Sequence, residues 1–257
     1  MDRKLDASSK ETTGLILLVE VVMYSGERDM LEARLKTLNT DLTIVVEGTK
    51  TFTGKPRTYG KPKLPKELAS KIIYLPVDKQ PSNDPWQNEY AQRQAGFVLL
   101  QALELSDDTV IGLFDVDEIP CPTRIREVTE INAWNMAKYQ LSARWYQQHE
   151  LTGISGLLGQ LRDKDASQIR NSRGSLPVIN AGWHLSSFMD EKRLKAKWAG
   201  FSHQELVRNN MDDWVSECWR EGKAVENGIP MLEQDNFGDI PEAVLQGPAY
   251  WLRGRNA

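Results

Sequence analysis

Three carboxylates stand together in Asp115-Val116-Asp117-Glu118, directly after the apolar run Val110 to Phe114. Two aspartates at i and i+2 can both reach one hard divalent cation if the backbone turns between them, and oxygen ligands of this kind suit Mg2+ or Mn2+. A cation held there would bridge the protein to a diphosphate and neutralise charge on it as it departs. The chemistry this spacing points to is binding of a divalent cation that carries a diphosphate, with Asp115 and Asp117 as the metal ligands. A solvated acidic turn would use the same residues, and the strand ahead of them is what favours the first reading.

The elements that must position this turn are legible in the hydrophobic pattern. Gly14 to Met23 is a short apolar run rich in β-branched residues, and Leu31, Leu35 and Leu38 then fall on one face of a helix. Asp41 to Glu47 and Ile72 to Val77 are strand-like, and between them Gly48 to Pro65 is a Gly/Pro/Lys/Thr-rich loop expected to be mobile. Asp84 as N-cap, Pro85 at the first helical position and Gln87 in a capping box mark a helix start. Ala91, Ala95, Val98, Ala102 and Leu105 give that helix a predicted buried face. Strands alternating with helices indicate an α/β fold with a mainly parallel central sheet flanked by helices, which binds ligands beyond the carboxyl ends of its strands. Asp115 lies at such an end.

The second half is more irregular and holds seven of the eight tryptophans. Val178 to Ala181 is strand-like and leads to Gly182-Trp183-His184. Asp212 to Glu221 reads as a capped helix with Trp214, Val215, Cys218 and Trp219 inward. No repeat or domain boundary is evident. One domain over 1–257 is expected, with a more regular half over 14–120 and a less regular one over 121–257.

The 257 residues carry a formal net charge of -4, which gives no overall attraction to nucleic acid. The apolar run to Met23 is broken by Glu20 and is shorter than the roughly 20 residues a bilayer-spanning helix needs. No signal-peptide pattern follows it, so a cytoplasmic protein without a membrane anchor is expected. Cys121 and Cys218 form no metal or redox pair and read as free thiols.

Four stretches, in order over residues 18 to 207, resemble glycosyltransferase family 17, the family of the β-1,4-N-acetylglucosaminyltransferase that adds the bisecting sugar to N-glycans. They are Glu27 to Leu35 with Val45-Val46-Glu47 and Thr51 to Pro56; Asn88-Glu89 with Arg93; Asp115 to Pro120; and Gly182 to Ser186 with Phe201 to Glu205. The resemblance implies an A-type glycosyltransferase fold, a UDP-sugar donor with UDP-N-acetylglucosamine expected, a manganese-like metal, a glycan acceptor and inversion at the anomeric carbon. Animal members carry an amino-terminal membrane helix that this sequence lacks, which leaves the acceptor open to glycans other than N-glycans.

Carried over residue by residue, the resemblance makes Asp115 and Asp117 the metal and diphosphate site and His203 a further metal ligand. Arg93 would face the diphosphate or uridine with Asn88 beside it, and Glu47 would hold ribose or uracil. His184 follows a glycine that would let substrate approach the backbone, and Trp183 would either stack on a sugar face or pack in the core. Inverting transfer needs a general base, for which Glu118, Glu205 and Asp190 are the candidates. The loop Thr51 to Pro62, with Lys55, Arg57, Lys61 and Lys63, would close over an anionic donor. Two other classes compete: a metal-dependent nucleotidyl or phosphoryl transferase, which would lack the Gly-rich phosphate loop common in such enzymes, and a carbohydrate-binding or inactive transferase-like protein whose acidic turn is vestigial.

Overall fold

The first apolar run becomes β1 (Leu18–Tyr24), buried along its whole length, in a computed structural model that describes residues 17–78 and 82–254. Residues 14–16 of the expected run lie outside the described residues. The Leu31/Leu35/Leu38 face is that of α1 (Arg28–Leu38), and β2 (Leu42–Gly48), α2 (Lys66–Ala69) and β3 (Ile72–Val77) follow. Next come α3 (Pro85–Ala102), β4 (Val110–Asp115), β5 (Glu118–Ile119) and α4 (Pro122–Ile125). The second half contributes β6 (Asn132–Gln140), β7 (Trp145–Leu157), α5 (Leu158–Leu161), α6 (Ala166–Asn171), β8 (Val178–Ile179) and β9 (Trp183–Ser186). It ends with α7 (Glu191–Gly200), α8 (Met211–Glu221), β10 (Leu232–Glu233) and α9 (Glu242–Leu245).

These strands form one sheet in the order β3-β2-β1-β4-β7-β6-β9-β5, with β8 beside β6 and β10 beside β7. The first four strands, β1 to β4, are parallel, as the alternating pattern predicts. The mainly parallel expectation does not extend across the sheet: β7 runs antiparallel to both β4 and β6, and β5 antiparallel to β9, so the fold is a mixed α/β sheet. The short connection from β6 to β7 explains the change, because parallel neighbours need a crossover of a dozen or more residues.

Asp84 caps α3 as expected, accepting from Trp86 N at 3.0 Å. The buried face of α3 differs from the predicted one. It is Gln92, Arg93, Gly96, Phe97 and Leu100, whereas Val98 is exposed. Two polar contacts and one close approach decide this: Gln92 Nε2 donates to Val46 O at 3.0 Å, Arg93 reaches Asp115, and Gly96 lies against β1 and β2. A Cβ at residue 96 would stand 2.4 Å from Val46 Cγ2 and 2.6 Å from Val21 Cγ1. Gly96→Ala is therefore expected to destabilise the fold by about 1–3 kcal/mol through overpacking, measured as a lower midpoint of chemical unfolding; an unchanged midpoint would mean that α3 can lift off the sheet freely.

Glu20, which interrupts the first apolar run, is fully buried with Arg34 of α1. Arg34 Nη2 meets Glu20 Oε1 at 2.5 Å and Nε meets Oε2 at 3.2 Å. The same guanidinium donates through Nη1 to the backbone oxygens of Glu118 (2.5 Å) and Asp115 (3.3 Å). A buried ion pair under the sheet thus anchors both ends of the acidic turn. Val215 and Cys218 are buried inside α8 as predicted, Trp214 and Trp219 only partly, and both cysteines are free. Among the described residues no helix is long and apolar enough to cross a membrane.

Candidate functional site

A cleft of about 1050 Å³ opens beyond the carboxyl ends of β1, β2 and β4, and Asp115, Asp117 and Glu118 all line it. The turn is fixed by β-type contacts on both sides: Val116 N donates to Met23 O, and Leu185 N to Asp117 O. Alternation along β9 puts His184 into the cleft and turns Trp183 into the apolar core behind it. Gly182 has φ +99°, and a Cβ there would meet Ile119 O at 2.6 Å, so the bare backbone makes room for Ile119-Pro120 rather than for substrate.

Asp115 is paired with two arginines. Arg93 Nη1 donates to Oδ1 and Arg170 Nη2 to Oδ2, each at 3.0 Å. Burial alone would raise this carboxyl, but the Arg170 and Arg93 guanidiniums outweigh it and hold it well below the usual carboxylate range. Glu118 is buried under Arg170, accepting from Nη2 at 2.7 Å and Nη1 at 3.1 Å, and its Oε2 also takes Asp115 N at 2.9 Å. It braces Arg170 and the turn.

Asp117 differs in having no short partner among the described residues: the cations beside it are Lys197 Nζ at 3.7 Å and His184 Nε2 at 3.9 Å, both beyond hydrogen-bond length. His184 is oriented from behind: its Nδ1–H donates to Glu150 Oε2 at 2.6 Å, leaving Nε2 toward Asp117. Burial lowers the His184 imidazole, but the Glu150 hydrogen bond and the charge of Asp117 push it up overall. Burial would raise Glu150, and the hydrogen bond and charge of His184, with Lys138 Nζ at 3.2 Å, bring it down to about 2.

A divalent cation can be tested against this donor set. Ligands on one ion with bonds of about 2.1 Å stand roughly 3.0 to 4.2 Å apart, and Asp117 Oδ1 and His184 Nε2 are 3.9 Å apart. A histidine that ligates a metal usually donates its other N–H to a carboxylate, which Glu150 provides. Among the described residues no three His, Cys, Asp or Glu side chains form a complete cage. Mg2+ is commonly held by one or two protein ligands plus substrate phosphates and water, and the residues present fit an ion held in that way.

The other predicted residues are scattered. His203 lines the cleft, but its Nδ1 meets Glu205 at 2.6 Å and its ring packs edge-on against Trp86 at 4.3 Å; His184 is the imidazole brought to Asp117. Glu205 is exposed and does not line the cleft, and Asp190 caps α7, accepting from Arg193 N at 2.9 Å. Glu47 is buried below the surface, where Arg57, Gly60 N and Tyr74 OH all donate to it. Asn88 holds the loop ahead of α3, donating to Phe52 O at 2.7 Å and Ser82 O at 3.0 Å. That pin, with the Lys50–Pro56 bridge and the Arg57–Glu47 pair, ties down the segment expected to be a mobile lid, and from it Lys50, Thr51, Phe52, Arg57 and Thr58 reach the cleft.

Sequence reading missed Arg170, Glu150, Lys138 and Lys197. The alternating polar residues Gln148, Glu150 and Thr152 on a strand give a faint signal for Glu150. Arg170 gives none, because its partners are 52 and 55 residues away.

The family model of glycosyltransferase family 17 matches residues 8–232, most of the sequence. The chain belongs to glycosyltransferase family 17. No curated protein matches it. Among solved structures the chain is similar to the glycosyltransferase GlyE of Streptococcus pneumoniae TIGR4, with 12% identity over 74% of this chain and 51% of that one. The TM-score of 0.29 is too low for that likeness to carry an argument, and the chain spans about half the length of GlyE. In the family frame the matched region contains the acidic turn, Arg93, Glu150, Arg170 and His184, so the whole of the paired cluster falls inside it.

Proposed function

We propose that this protein is an inverting, metal-dependent glycosyltransferase of the A-type fold, which moves a sugar from a UDP-sugar to a hydroxyl of a glycan acceptor. UDP-N-acetylglucosamine is the donor that the family resemblance favours. The observation that carries the reading is Asp117, facing an open cleft at the carboxyl end of β4 with His184 and Lys197 beside it and no short hydrogen bond to either.

Asp117 and His184 would hold the cation, and the cation would neutralise the departing diphosphate. Lys197 adds positive charge at the other oxygen of Asp117, Oδ2. Arg93 and Arg170, locked by Asp115, Glu118 and Glu89, present fixed guanidiniums to the cleft and need no reorganisation when charge develops there. The side of the cleft formed by β6, β7 and β9 is left for the acceptor.

Thermal unfolding with Mn2+, UDP and a panel of UDP-sugars tests this. UDP with Mn2+ together should raise the midpoint more than either alone, and a ligand at about 100 times its Kd stabilises by about 2.7 kcal/mol. No shift with any UDP-sugar at saturating Mn2+ would overturn the reading. Stronger stabilisation by nucleoside triphosphates would favour nucleotidyl transfer instead, and glycan binding that survives both chelation and Asp117→Asn would favour a binding protein.

A further inference from the structure

The carboxylates of the cleft separate by the partners they already have. Asp115 and Glu118 are neutralised by guanidiniums, Glu89 by Arg93 with Ser202 Oγ donating at 2.7 Å, and Glu150 by His184 and Lys138. Glu27, like Glu226, has no guanidinium partner among the described residues, but it accepts from Ser25 N at 2.7 Å and lies after β1 beside Lys197 and Asp117, on the side of the cleft where the diphosphate would depart. Glu226 lies on the other side. It lines the cleft from the β6–β7 side, about a quarter exposed, and its two oxygens both accept from the neutral amide of Gln140 at 2.8 Å. Its nearest cation, Lys138 Nζ, stands off at 3.6 Å and shares itself with Glu150.

The turn that carries Glu226 is held firmly. Ala224 and Val225 are buried, Gly228 N donates to Ala224 O at 2.7 Å, and Trp214 Nε1 donates to Val225 O at 2.8 Å. Gln140 is fully buried and also accepts from Val225 N through Oε1 at 3.3 Å, so one side chain fixes both the turn and the carboxylate it presents. Guanidinium partners favour the ionised form of a carboxylate and weaken it as a proton acceptor, whereas an amide orients it without adding charge. Inverting displacement also requires the base on the face of the sugar opposite the departing diphosphate. Glu226 is linked to the Asp117–His184 pair through Lys138 and Glu150, on the side of the cleft proposed above for the acceptor.

We infer that Glu226 is the general base of the reaction. This rests on the glycosyl-transfer reading above. The acceptor oxygen attacks the anomeric carbon, and its proton passes to a Glu226 oxygen. The bond from that carbon to the diphosphate oxygen breaks, its electron pair leaving with the nucleoside diphosphate. The products are the inverted glycoside, free nucleoside diphosphate and protonated Glu226.

The test is Glu226→Gln in the full chain, with UDP-N-acetylglucosamine, Mn2+ and either water or an oligosaccharide panel as acceptor, alongside UDP affinity by calorimetry and a thermal melt. The expected result is turnover about 10²–10⁴-fold lower, with UDP affinity and melting midpoint unchanged. Turnover close to wild type would overturn the base assignment while leaving glycosyl transfer in place. Loss of UDP affinity in a variant that still melts cooperatively would overturn it too, by placing Glu226 at the donor. If the wild-type protein consumes no nucleotide sugar with either acceptor, glycosyl transfer itself falls and the inference falls with it.

Discussion

Asp117→Asn is expected to lower sugar transfer by about 10²–10³-fold, the loss typical of removing one preorganised electrostatic contact to a leaving group. The substitution keeps the volume of the side chain and removes only its charge. The backbone bond from Leu185 N to Asp117 O at 2.8 Å is independent of that charge, so the turn should stay in place. What changes is the field at the cleft: Lys197 and His184 lose the anion between them, and a cation loses its charged protein ligand. Because only Asp117 and His184 are proposed as protein ligands and no complete cage is found among the described residues, Mn2+ should bind weakly alone and tightly with UDP. Electron paramagnetic resonance of Mn2+ in the presence of UDP, read beside turnover, separates these effects. The idea is sunk by an Asp117→Asn protein that transfers sugar at the wild-type rate, or by one that holds Mn2+ with UDP as tightly as wild type.

Arg34→Met should have the largest effect on stability. It leaves Glu20 fully buried without its cation, and breaking a buried pair by removing one partner costs about 3–5 kcal/mol. For a domain of this size each kcal/mol lowers the melting midpoint by about 2–4 °C, so a fall of roughly ten degrees is expected. The same substitution removes the donors to Asp115 O and Glu118 O. A variant that remains folded should therefore bind UDP more weakly, although residue 34 is itself buried behind the sheet. Replacing both partners, Glu20→Leu with Arg34→Met, should recover much of the stability, since an apolar pair of similar volume often substitutes for a buried ion pair at little cost. A single variant that melts with wild type, or a double variant no more stable than the single, would show that the pair is not what holds the turn.

The sequence resolved the parts of the site that depend on neighbours along the chain. Asp84 caps α3 because its own side chain reaches a backbone N–H two residues on, and the carboxylates follow a central strand because Val110 to Phe114 is uniformly apolar. It placed the buried face of α3 wrongly, because alanine spacing does not register that Gly96 permits contact or that Gln92 and Arg93 find partners beneath. It left Trp183 open between a sugar face and the core, and alternation from His184 sends it to the core.

By itself, then, the chain's order of residues determined an α/β framework, a parallel first half and an acidic turn at the end of β4. Those follow from hydrogen bonds and periodicities that span a few residues. Only the tertiary structure decided which carboxylate is neutralised, which is oriented and which is left facing the cleft. The deciding partners, Arg170 for Asp115 and Glu118, Glu150 for His184 and Gln140 for Glu226, lie 34 to 86 residues away. Charge pairing acts through space at a few ångströms, and no local pattern records which cation the folded sheet will bring to which anion.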